Sequence, residues 1–197
     1  MSVVIQKEIA TAFKTLMVDT PFKQISVTLI MRTAGIRRQT FYDYFPDKYA
    51  LLTWIYDQEI GEYVADHLTY PHWTIILEQL LTYFEDNRTF YQNAITIDGQ
   101  NSFETHFKHH LRQLVQIIID DLTQLHHLTL SPTYQQFLLD YLSGAIVAYT
   151  ASWLRTDQPQ SIRQVSAALQ ITLTDTINGL LLRTGHLNTK KEYEAGQ

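Results

Sequence analysis

Apolar residues recur with the period of an α-helix along almost the whole chain, and this pattern constrains the fold more than any other feature of the sequence. Ile5, Ile9 and Ala12 begin the series at spacings of four and three, which place them on one helical face. A sustained alternation of apolar and polar residues, typical of a half-buried strand, does not occur. Residues 94–97 resemble a short strand, but an isolated strand has nothing to pair with. The sequence therefore predicts an all-α fold.

The composition excludes several classes of protein. With 45% hydrophobic residues and only 5 Pro and 7 Gly among 197 residues, the chain is neither mainly disordered nor collagen-like. The absence of cysteine removes disulfides, thiolate zinc sites and a cysteine nucleophile. No apolar run reaches the roughly 18 residues of a membrane span, and charged residues interrupt residues 1–16, where a signal peptide would be apolar. We therefore expect a soluble, cytoplasmic protein.

Two short helices joined by a tight turn are predicted near the N-terminus, after a first helix of about four turns. Ser26 can cap the first helix of this pair, and Gly35 supplies the left-handed backbone that ends it. The second helix runs from Arg38 to Phe45, with Phe41 on the same face as Phe45. This arrangement is that of a helix-turn-helix.

Longer helices are predicted in the rest of the chain. Asp47 is the expected cap of a fourth helix from Lys48 to about His67, and Asp98-Gly99 marks a later turn. The tail from Gly185 onward lacks core residues, so we expect it to be loose. Further helices are predicted near 72–86, 102–126, 131–155 and 160–184.

These signals divide the chain into an N-terminal unit (residues 1–47), a C-terminal region (residues 48–185) and a flexible tail (residues 186–197). Charge is divided in a similar way. Residues 1–50 carry a net charge of +3, which leaves −8 for the remainder of a chain whose total is −5. A basic end attached to an acidic remainder suits a protein that contacts nucleic acid through that end.

The second helix of the pair is predicted to present a polar and basic face. Because its two phenylalanines bury one side, Arg38, Gln39 and Tyr42 are left to face outward. Such a face fits a major groove about 12 Å wide, where Arg pairs with guanine and Gln with adenine. Hydroxyl and ammonium groups suit phosphate oxygens instead. The candidate phosphate ligands are Thr28, Thr40, Tyr42, Tyr44 and Lys48.

Residues 25–48 combine Ala34-Gly35, Phe41-Tyr42, Phe45 and Asp47-Lys48 at specific spacings. In this respect the stretch, about a quarter of the chain, resembles the DNA-binding part of TetR-family transcription regulators. The resemblance implies that Arg38 and Gln39 read bases, and that the candidate phosphate ligands hold the DNA backbone. Arg37 stands where the family often has Ser, and Tyr44 where it often has His. Both keep a group that can bind phosphate, so the departures affect the operator sequence and not DNA binding itself.

Residues 38–42 with 47–55, and residues 137–154, are similar to a narrower group in that family, the dihydroxyacetone-kinase regulators. The resemblance leaves two kinds of signal open. The C-terminal region binds a small-molecule effector, or it binds a co-regulator protein that senses dihydroxyacetone and takes no small molecule itself. Because members of this group need not all control that kinase, the regulated gene does not follow.

Two alternatives concern the N-terminal unit. A plain three-helix packing unit without a DNA role would give no reason for Arg37, Arg38 and Gln39 at a solvent-facing helix start. Tyr42 or Tyr44 could pack its ring on the fourth helix instead of facing outward.

Small residues recur at every fourth position of the predicted helix 131–155. Gly144, Ala148 and Ser152 form this row, and Ala145 and Ala151 flank it, so another helix can approach closely. The partner is either the same helix of a second subunit or a helix of the same chain. TetR-type regulators dimerise through their last two long helices and read palindromes with half-sites about 34 Å apart or a multiple of it. The resemblance therefore favours a homodimer.

The C-terminal region is rich in aromatic residues, which can line a small-molecule pocket but more often form ordinary core. Spacing alone does not separate the two roles. The residues concerned are Trp73, Tyr83, Phe84, Phe90, Tyr91, Phe103, Phe107, Tyr134, Phe137, Tyr141, Tyr149 and Trp153.

Signals of an enzyme are weak. Two of the residues His106, His109 and His110 could share a metal on one helical face, but the sequence offers no His-Glu-x-x-His arrangement and no third ligand there. The acid pairs Glu85-Asp86 and Asp120-Asp121 point in different directions on a helix. A helical enzyme therefore stays a remote alternative, and we expect no catalytic residue, metal or cofactor.

The sequence as a whole predicts a TetR-type, sequence-specific transcription regulator that binds double-stranded DNA as a homodimer and has no membrane partner. The fourth helix follows the joint Phe45-Pro46-Asp47, and we expect it to transmit changes in the C-terminal region to the DNA-binding unit. Only a signal with different affinities for the two states can drive such a change.

Overall fold

The computed structural model describes residues 2–64, 73–97, 99, 102–157 and 159–194, and for residues 2, 61–64 and 184–194 it describes the backbone alone. Every regular element in these ranges is helical, so the predicted all-α class is confirmed. A short 3₁₀ turn, Phe22–Gln24, follows the first helix. The α-helices are α1 Ser2–Asp19, α2 Val27–Thr33, α3 Arg38–Phe41, α4 Lys48–Val64, α5 Trp73–Asp86, α6 Arg88–Ala94, α7 Phe103–Leu125, α8 Pro132–Arg155 and α9 Ile162–Glu194.

The predicted cap and turn of α2 are both confirmed. Ser26 Oγ accepts a hydrogen bond of 3.1 Å from the backbone N–H of Leu29, which satisfies one of the unpaired N–H groups at the start of the helix. Gly35 has a φ of +70°, a backbone conformation that costs little without a Cβ atom. The N–H of Ile36 then donates to the carbonyl of Met31 at 3.0 Å, which closes the turn into α3.

α3 is shorter than predicted, because it ends at Phe41 and not at Phe45. The chain continues as a turn in which the N–H groups of Tyr44 and Phe45 both donate to the carbonyl of Phe41, at 3.0 and 2.9 Å. Pro46 keeps the helix from continuing past this turn, since proline disfavours helical backbone in the residue before it. Phe41 and Phe45 are nevertheless both buried, with ring centroids 5.6 Å apart. Their predicted common face is therefore confirmed.

α4 begins where the sequence predicts. Asp47 Oδ1 accepts a hydrogen bond of 2.8 Å from the N–H of Ala50, so the predicted cap is confirmed. The helix is described as far as Val64, and its predicted end near His67 lies outside the described residues. α4 packs against α5 and α7, and α1 packs against α6, which joins the N-terminal unit to the C-terminal region.

α6 has no counterpart among the predicted helices, and the segment after it is not a strand. Ile95 and Ile97 are buried in a turn, whose N–H groups at Thr96 and Ile97 donate to the carbonyls of Asn93 and Ala94 at 3.2 Å each. These residues are apolar because they enter the core. Gly99 has a φ of +105°, which agrees with the turn predicted there, although Asp98 lies outside the described residues.

One hydrophobic core extends from the N-terminal unit into the C-terminal region. Its centre is aromatic: the ring of Tyr56 lies 5.4 Å from that of Phe103 and 6.3 Å from that of Phe84, centroid to centroid. Seven of the aromatic residues noted in the sequence belong to this core, whereas Phe137, Tyr141 and Tyr149 are exposed. The buried seven are Tyr83, Phe84, Phe90, Tyr91, Phe103, Phe107 and Trp153.

α8 and α9 are long helices with exposed apolar surface. By length and composition alone both could cross a membrane; α8 is half buried inside the fold, like a core helix, whereas α9 is mostly exposed. Of the predicted row of small residues on α8, Ala148 and Ser152 are exposed and Gly144 is half-buried. Of the two flanking residues, Ala145 is exposed and Ala151 is buried. α9 continues to Glu194, so the backbone that we expected to be loose from Gly185 onward is helical as far as that residue.

Candidate nucleic-acid interface

The start of α3 presents polar side chains to solvent. Arg37, Arg38 and Gln39 are all exposed, while Phe41 on the opposite side of this short helix is fully buried. The ring of Phe45 packs beside Phe41, with centroids 5.6 Å apart. The two phenylalanines therefore hold α3 on the core by one side and leave its polar side outside, as the sequence predicts.

Arg38 and Tyr42 form a pair on this surface. The Arg38 guanidinium donates a hydrogen bond of 3.0 Å to the Tyr42 hydroxyl and lies 5.4 Å from the centroid of its ring. Tyr42 is 49% exposed, so it does not pack its ring fully on another helix. The contact limits the rotamers of both side chains, which lowers the entropy that either one would lose on binding a ligand.

The other candidate phosphate ligands are less uniformly exposed. Thr28 lies in the first turn of α2 and is exposed, whereas Thr40 is half-buried. Tyr44 is also half-buried and packs against the core, with its ring centroid 6.5 Å from that of Phe45. The packing alternative considered for the two tyrosines thus describes Tyr44 better than Tyr42.

Lys48 points toward the protein rather than away from it. Its ammonium group donates hydrogen bonds of 2.7 Å to the carbonyl oxygens of Phe22 and Ile25 and lies 4.2 Å from the centroid of the Phe22 ring. Burial lowers the pKa of Lys48 below its ordinary value. An ammonium group has three N–H donors, so one donor remains beyond these two bonds.

The joint between the N-terminal unit and the C-terminal region contains a residue that sequence reasoning missed. Asn93 of α6 donates hydrogen bonds to the carbonyls of Met17 at 3.1 Å and Thr20 at 2.7 Å. Its side-chain oxygen accepts a bond of 3.0 Å from the N–H of Phe22. These partners lie 71 to 76 positions away in the chain, so no local spacing could have indicated the contact.

A second polar contact crosses the same joint. Lys14 of α1 lies 2.8 Å from the carboxylate of Glu59 and donates to Asn87 Oδ1 at 2.9 Å. Glu59 also accepts a bond of 2.6 Å from the hydroxyl of Tyr83, which is 2.6 Å from that of Tyr91. Burial and the bond to Glu59 hold the pKa of Tyr83 far above its ordinary value. The hydroxyl therefore stays protonated and remains a donor.

The C-terminal region contains an apolar cavity of about 80 Å³ among α5, α7, α8 and α9. Trp73, Tyr134 and Thr176 are the residues of its wall whose side chains carry a polar atom, and the others are aliphatic. Of the aromatic residues for which the sequence left the pocket and core roles open, Trp73 and Tyr134 lie at this cavity. A wall of this kind can bury apolar groups but offers few hydrogen bonds to a polyhydroxy compound.

The three histidines considered as metal ligands have separate partners. His106 Nε2 lies 2.7 Å from Asp57 Oδ1, and His110 Nδ1 lies 2.7 Å from the hydroxyl of Tyr56. His109 is exposed. Within the described part of the chain, no three His, Cys, Asp or Glu residues are grouped so that they could hold a metal ion.

Members of both acid pairs form ion pairs or hydrogen bonds with nearby side chains. Glu85 forms an ion pair of 2.8 Å with Arg88. Asp120 accepts hydrogen bonds from the side-chain amides of Gln116 and Gln135, at 2.7 and 3.0 Å.

α3 follows a glycine turn, packs on buried phenylalanines and exposes arginines at its start. This arrangement defines the class of the protein as a helix-turn-helix protein that binds DNA. Residues 71–175 match a TetR family described as "Transcriptional regulator C-terminal region". The chain is 39% identical over 149 residues to the HTH-type dhaKLM operon transcriptional activator DhaS of Lactococcus lactis subsp. lactis (strain IL1403), which covers 76% of this chain and 79% of that protein.

Two solved structures have a fold similar to that of this chain. The fold matches that of a dihydroxyacetone kinase operon activator, DhaS, with a TM-score of 0.72 and 34% identity over 90% of this chain and 98% of the other. A TetR-family regulator from Streptomyces coelicolor shares the fold, with a TM-score of 0.54 and 13% identity over 98% of each chain. The chain belongs to the TetR family of transcriptional regulators. The expected family and the similarity to its dihydroxyacetone-kinase group are both confirmed.

Proposed function

We propose that this TetR-type regulator binds a palindromic operator as a homodimer, with α3 of each subunit in the major groove. Arg38 and Gln39 read base edges, because their side chains can form paired hydrogen bonds with guanine and adenine. One observation carries this proposal: Arg37, Arg38 and Gln39 are exposed at the start of α3, while Phe41 behind them is fully buried.

Contacts to the DNA backbone come from the residues around α3. Arg37 supplies a charge next to the reading pair, and Tyr42 supplies a hydroxyl that Arg38 already orients. Phosphate contacts of this kind set the register of the protein on the duplex and carry no sequence information themselves. The proposed phosphate ligands are Thr28, Arg37, Thr40, Tyr42, Tyr44 and Lys48.

The proposed dimer forms through α8 and α9. The exposed small residues Ala145, Ala148 and Ser152 allow a second helix to approach closely. On α9, Ile171 and Leu182 are exposed by 63% and 65%, and burial of such apolar side chains favours association. In this arrangement residues 1–47 form the DNA-binding unit and residues 48–185 form the region for dimerisation and signal reception.

Selection of bound duplexes from random DNA tests the proposal. The expected product is a palindrome whose half-sites are about 34 Å apart or a multiple of it. Affinity for this site should fall steeply with salt concentration because phosphate binding releases counterions. A chain that sediments as a monomer and enriches no sequence at low ionic strength would contradict the proposal.

The signal received by the C-terminal region has two candidates. The cavity of about 80 Å³ supports an apolar effector, because its aliphatic wall suits an alkyl or aromatic group. An effector bound there reaches the DNA-binding unit through α4, which contacts α7 through the Tyr56–His110 and Asp57–His106 pairs.

The second candidate is a partner protein. A triose placed in this cavity would lose its hydrogen bonds with water, at a cost of about 2–7 kcal/mol for each unpaired polar group. A dihydroxyacetone signal would therefore arrive on a co-regulator that binds the surface of the C-terminal region. Calorimetry of the purified protein with dihydroxyacetone tests this candidate: we expect no heat of saturable binding, and such heat would exclude the partner-borne signal.

The target of regulation is proposed from the relatives. Because these relatives are named as activators of a dhaKLM operon and of a dihydroxyacetone kinase operon, we propose that this chain is a cytoplasmic activator of a dihydroxyacetone kinase operon. Deletion of the gene should lower the transcript of a dihydroxyacetone kinase operon in the same cell, whereas a rise would make the protein a repressor.

A further inference from the structure

We infer that Asn93 is a positioning residue, which fixes the orientation of the N-terminal unit on α6 and thereby the separation of the two α3 helices on DNA. The inference rests on the proposed dimeric DNA binding and identifies the side chain that sets its geometry. Asn93 lies in the C-terminal region and has no predicted contact with DNA.

The side chain of Asn93 both donates hydrogen bonds to one short backbone segment and accepts one from it. Its amide nitrogen donates to the carbonyls of Met17 and Thr20, and its oxygen accepts from the N–H of Phe22. The last carbonyls of a helix have no partner within the helix, and Asn93 supplies one at the end of α1. One planar group thus holds both the end of α1 and the start of the 3₁₀ turn.

The segment held by Asn93 leads directly into the DNA-binding helices. The carbonyl of Phe22, whose N–H binds Asn93, accepts a hydrogen bond from Lys48 at the start of α4. The carbonyl of Ile25 accepts another, and Ser26 caps α2 immediately afterwards. A shift of Phe22 relative to α6 therefore changes the position of α2 and α3.

The other contacts that α1 makes at the joint constrain its orientation less. The rings of Phe13 and Phe90 meet edge to face, with centroids 6.1 Å apart, but apolar contact is largely non-directional and tolerates sliding. The Lys14–Glu59 ion pair has side chains that are 29% and 34% exposed, and solvated pairs of this kind hold geometry weakly. The three bonds of Asn93 depend on both distance and angle.

α6 is in turn tied to the end of α8. Arg88 Nη1 donates to the carbonyls of Trp153 and Leu154 at 3.1 and 3.0 Å, and Gln92 donates to the carbonyl of Leu154 at 2.8 Å. α8 carries the exposed row that we propose as a subunit contact. Asn93 therefore connects the helix of the proposed dimer interface, through α6, to the unit that reads DNA.

A set of operators with varied spacing tests this role. Two copies of the selected half-site are separated by spacers that increase by single base pairs over about one helical turn of 10 base pairs, and affinity is measured by anisotropy. For Asn93→Ala, the ratio of affinities between the best and worst spacing should fall about tenfold relative to the parent, a typical size for a coupling between sites. Affinity for a single half-site should stay within about twofold of the parent.

Two further variants make the result decisive. Asn93→Asp keeps an acceptor for the N–H of Phe22 and loses both donors, so it should reduce the spacing preference even if Asn93→Ala folds poorly. Tyr91→Phe is the matched control, because it removes from the same helix a buried hydrogen bond that goes to Tyr83 of α5 and not to the N-terminal unit. It should lower the unfolding temperature and keep the parental spacing profile.

The outcomes separate this inference from the proposed function. Parental spacing profiles in both Asn93 variants, or an equal loss of spacing preference in Tyr91→Phe, would overturn the positioning role. A parent protein that shows no spacing preference would contradict dimeric operator binding itself, and with it the positioning role, before any variant is measured.

Discussion

The ammonium group of Lys48 lies 2.7 Å from the carbonyl oxygen of Phe22, which stands 26 positions earlier in the chain. The same group bonds the carbonyl of Ile25, so Lys48 closes the segment that leads into α2. The side chain that the sequence suggests as a phosphate ligand thus also organises the DNA-binding unit. Both roles are compatible, since an ammonium group has a third N–H donor.

Replacement of Lys48 by Met should affect stability and salt dependence together. Loss of two charged hydrogen bonds should lower the free energy of unfolding by about 1–3 kcal/mol, and loss of one phosphate contact should reduce the salt slope of DNA binding by about one unit. Thermal unfolding and salt-titrated anisotropy measure the two effects. Lys23→Met is the control for stability, because Lys23 is exposed on the same 3₁₀ turn. An unchanged slope would remove Lys48 from the proposed phosphate ligands.

Replacement of Arg38 by Ala should cost about 1–3 kcal/mol at the cognate operator and relax the base preference at one position of each half-site. Tyr42→Phe should have a smaller effect, because it removes the hydrogen bond to Arg38 but keeps the ring. Competition binding against operators with single base changes measures both. If Arg38→Ala weakened all sequences equally, Arg38 would be a phosphate ligand and not a base reader.

Replacement of Ala148 by Arg should separate the proposed dimer. A two-fold interface brings the same row from both subunits together, so two arginines would meet without counter-charges at a cost of several kcal/mol. The dimer dissociation constant should rise at least about a hundredfold, as measured by sedimentation equilibrium. Thr129→Arg, at an exposed position before α8, should leave the mass unchanged. A dimeric Ala148→Arg would place the interface elsewhere.

The stability of the protein should fall below about pH 6.5 in part because of His110. Burial is the main cause that lowers the pKa of this residue, with His106 and His109 adding to the decrease and Asp57 opposing it. The unfolded chain then binds a proton that the folded chain does not, so stability is full above the unfolded pKa of about 6.5 and decreases as the pH falls below it.

The variant His110→Gln should reduce this pH dependence. Denaturant titration measures the free energy of unfolding at about pH 7.5 and 5.5. Between these two values the variant should lose less of this free energy than the parent. His126→Gln changes an exposed histidine and should behave like the parent. Equal pH dependence in the parent and His110→Gln would mean that His110 titrates alike in the folded and unfolded chains.

The success of the sequence predictions depended on the range of the interactions involved. Ser26, Gly35 and Asp47 were predicted because each acts on backbone within a few residues of itself. The end of α3 was wrong by four residues, since the apolar spacing of Phe41 and Phe45 continues through a turn as well as through a helix. α6 escaped prediction because it is only seven residues long and follows α5 after a single turn residue.

In the candidate site, too, contacts within a few residues could be predicted and contacts between distant residues could not. The exposed group Arg37, Arg38 and Gln39 could be predicted, because the buried side of a short helix determines its outer side. The inward bonds of Lys48 and the role of Asn93 could not, because their partners are 23 to 76 residues away.

The amino-acid sequence by itself determined the helical class, the helix-turn-helix and the family, because apolar periodicity, caps and glycine turns act through local backbone geometry. Only the tertiary structure decided which polar side chains stay free to meet DNA and which bind distant backbone. That choice depends on how the helices pack against one another. Packing is the sum of many weak contacts between segments that are distant in the chain, so no local sequence pattern predicts it.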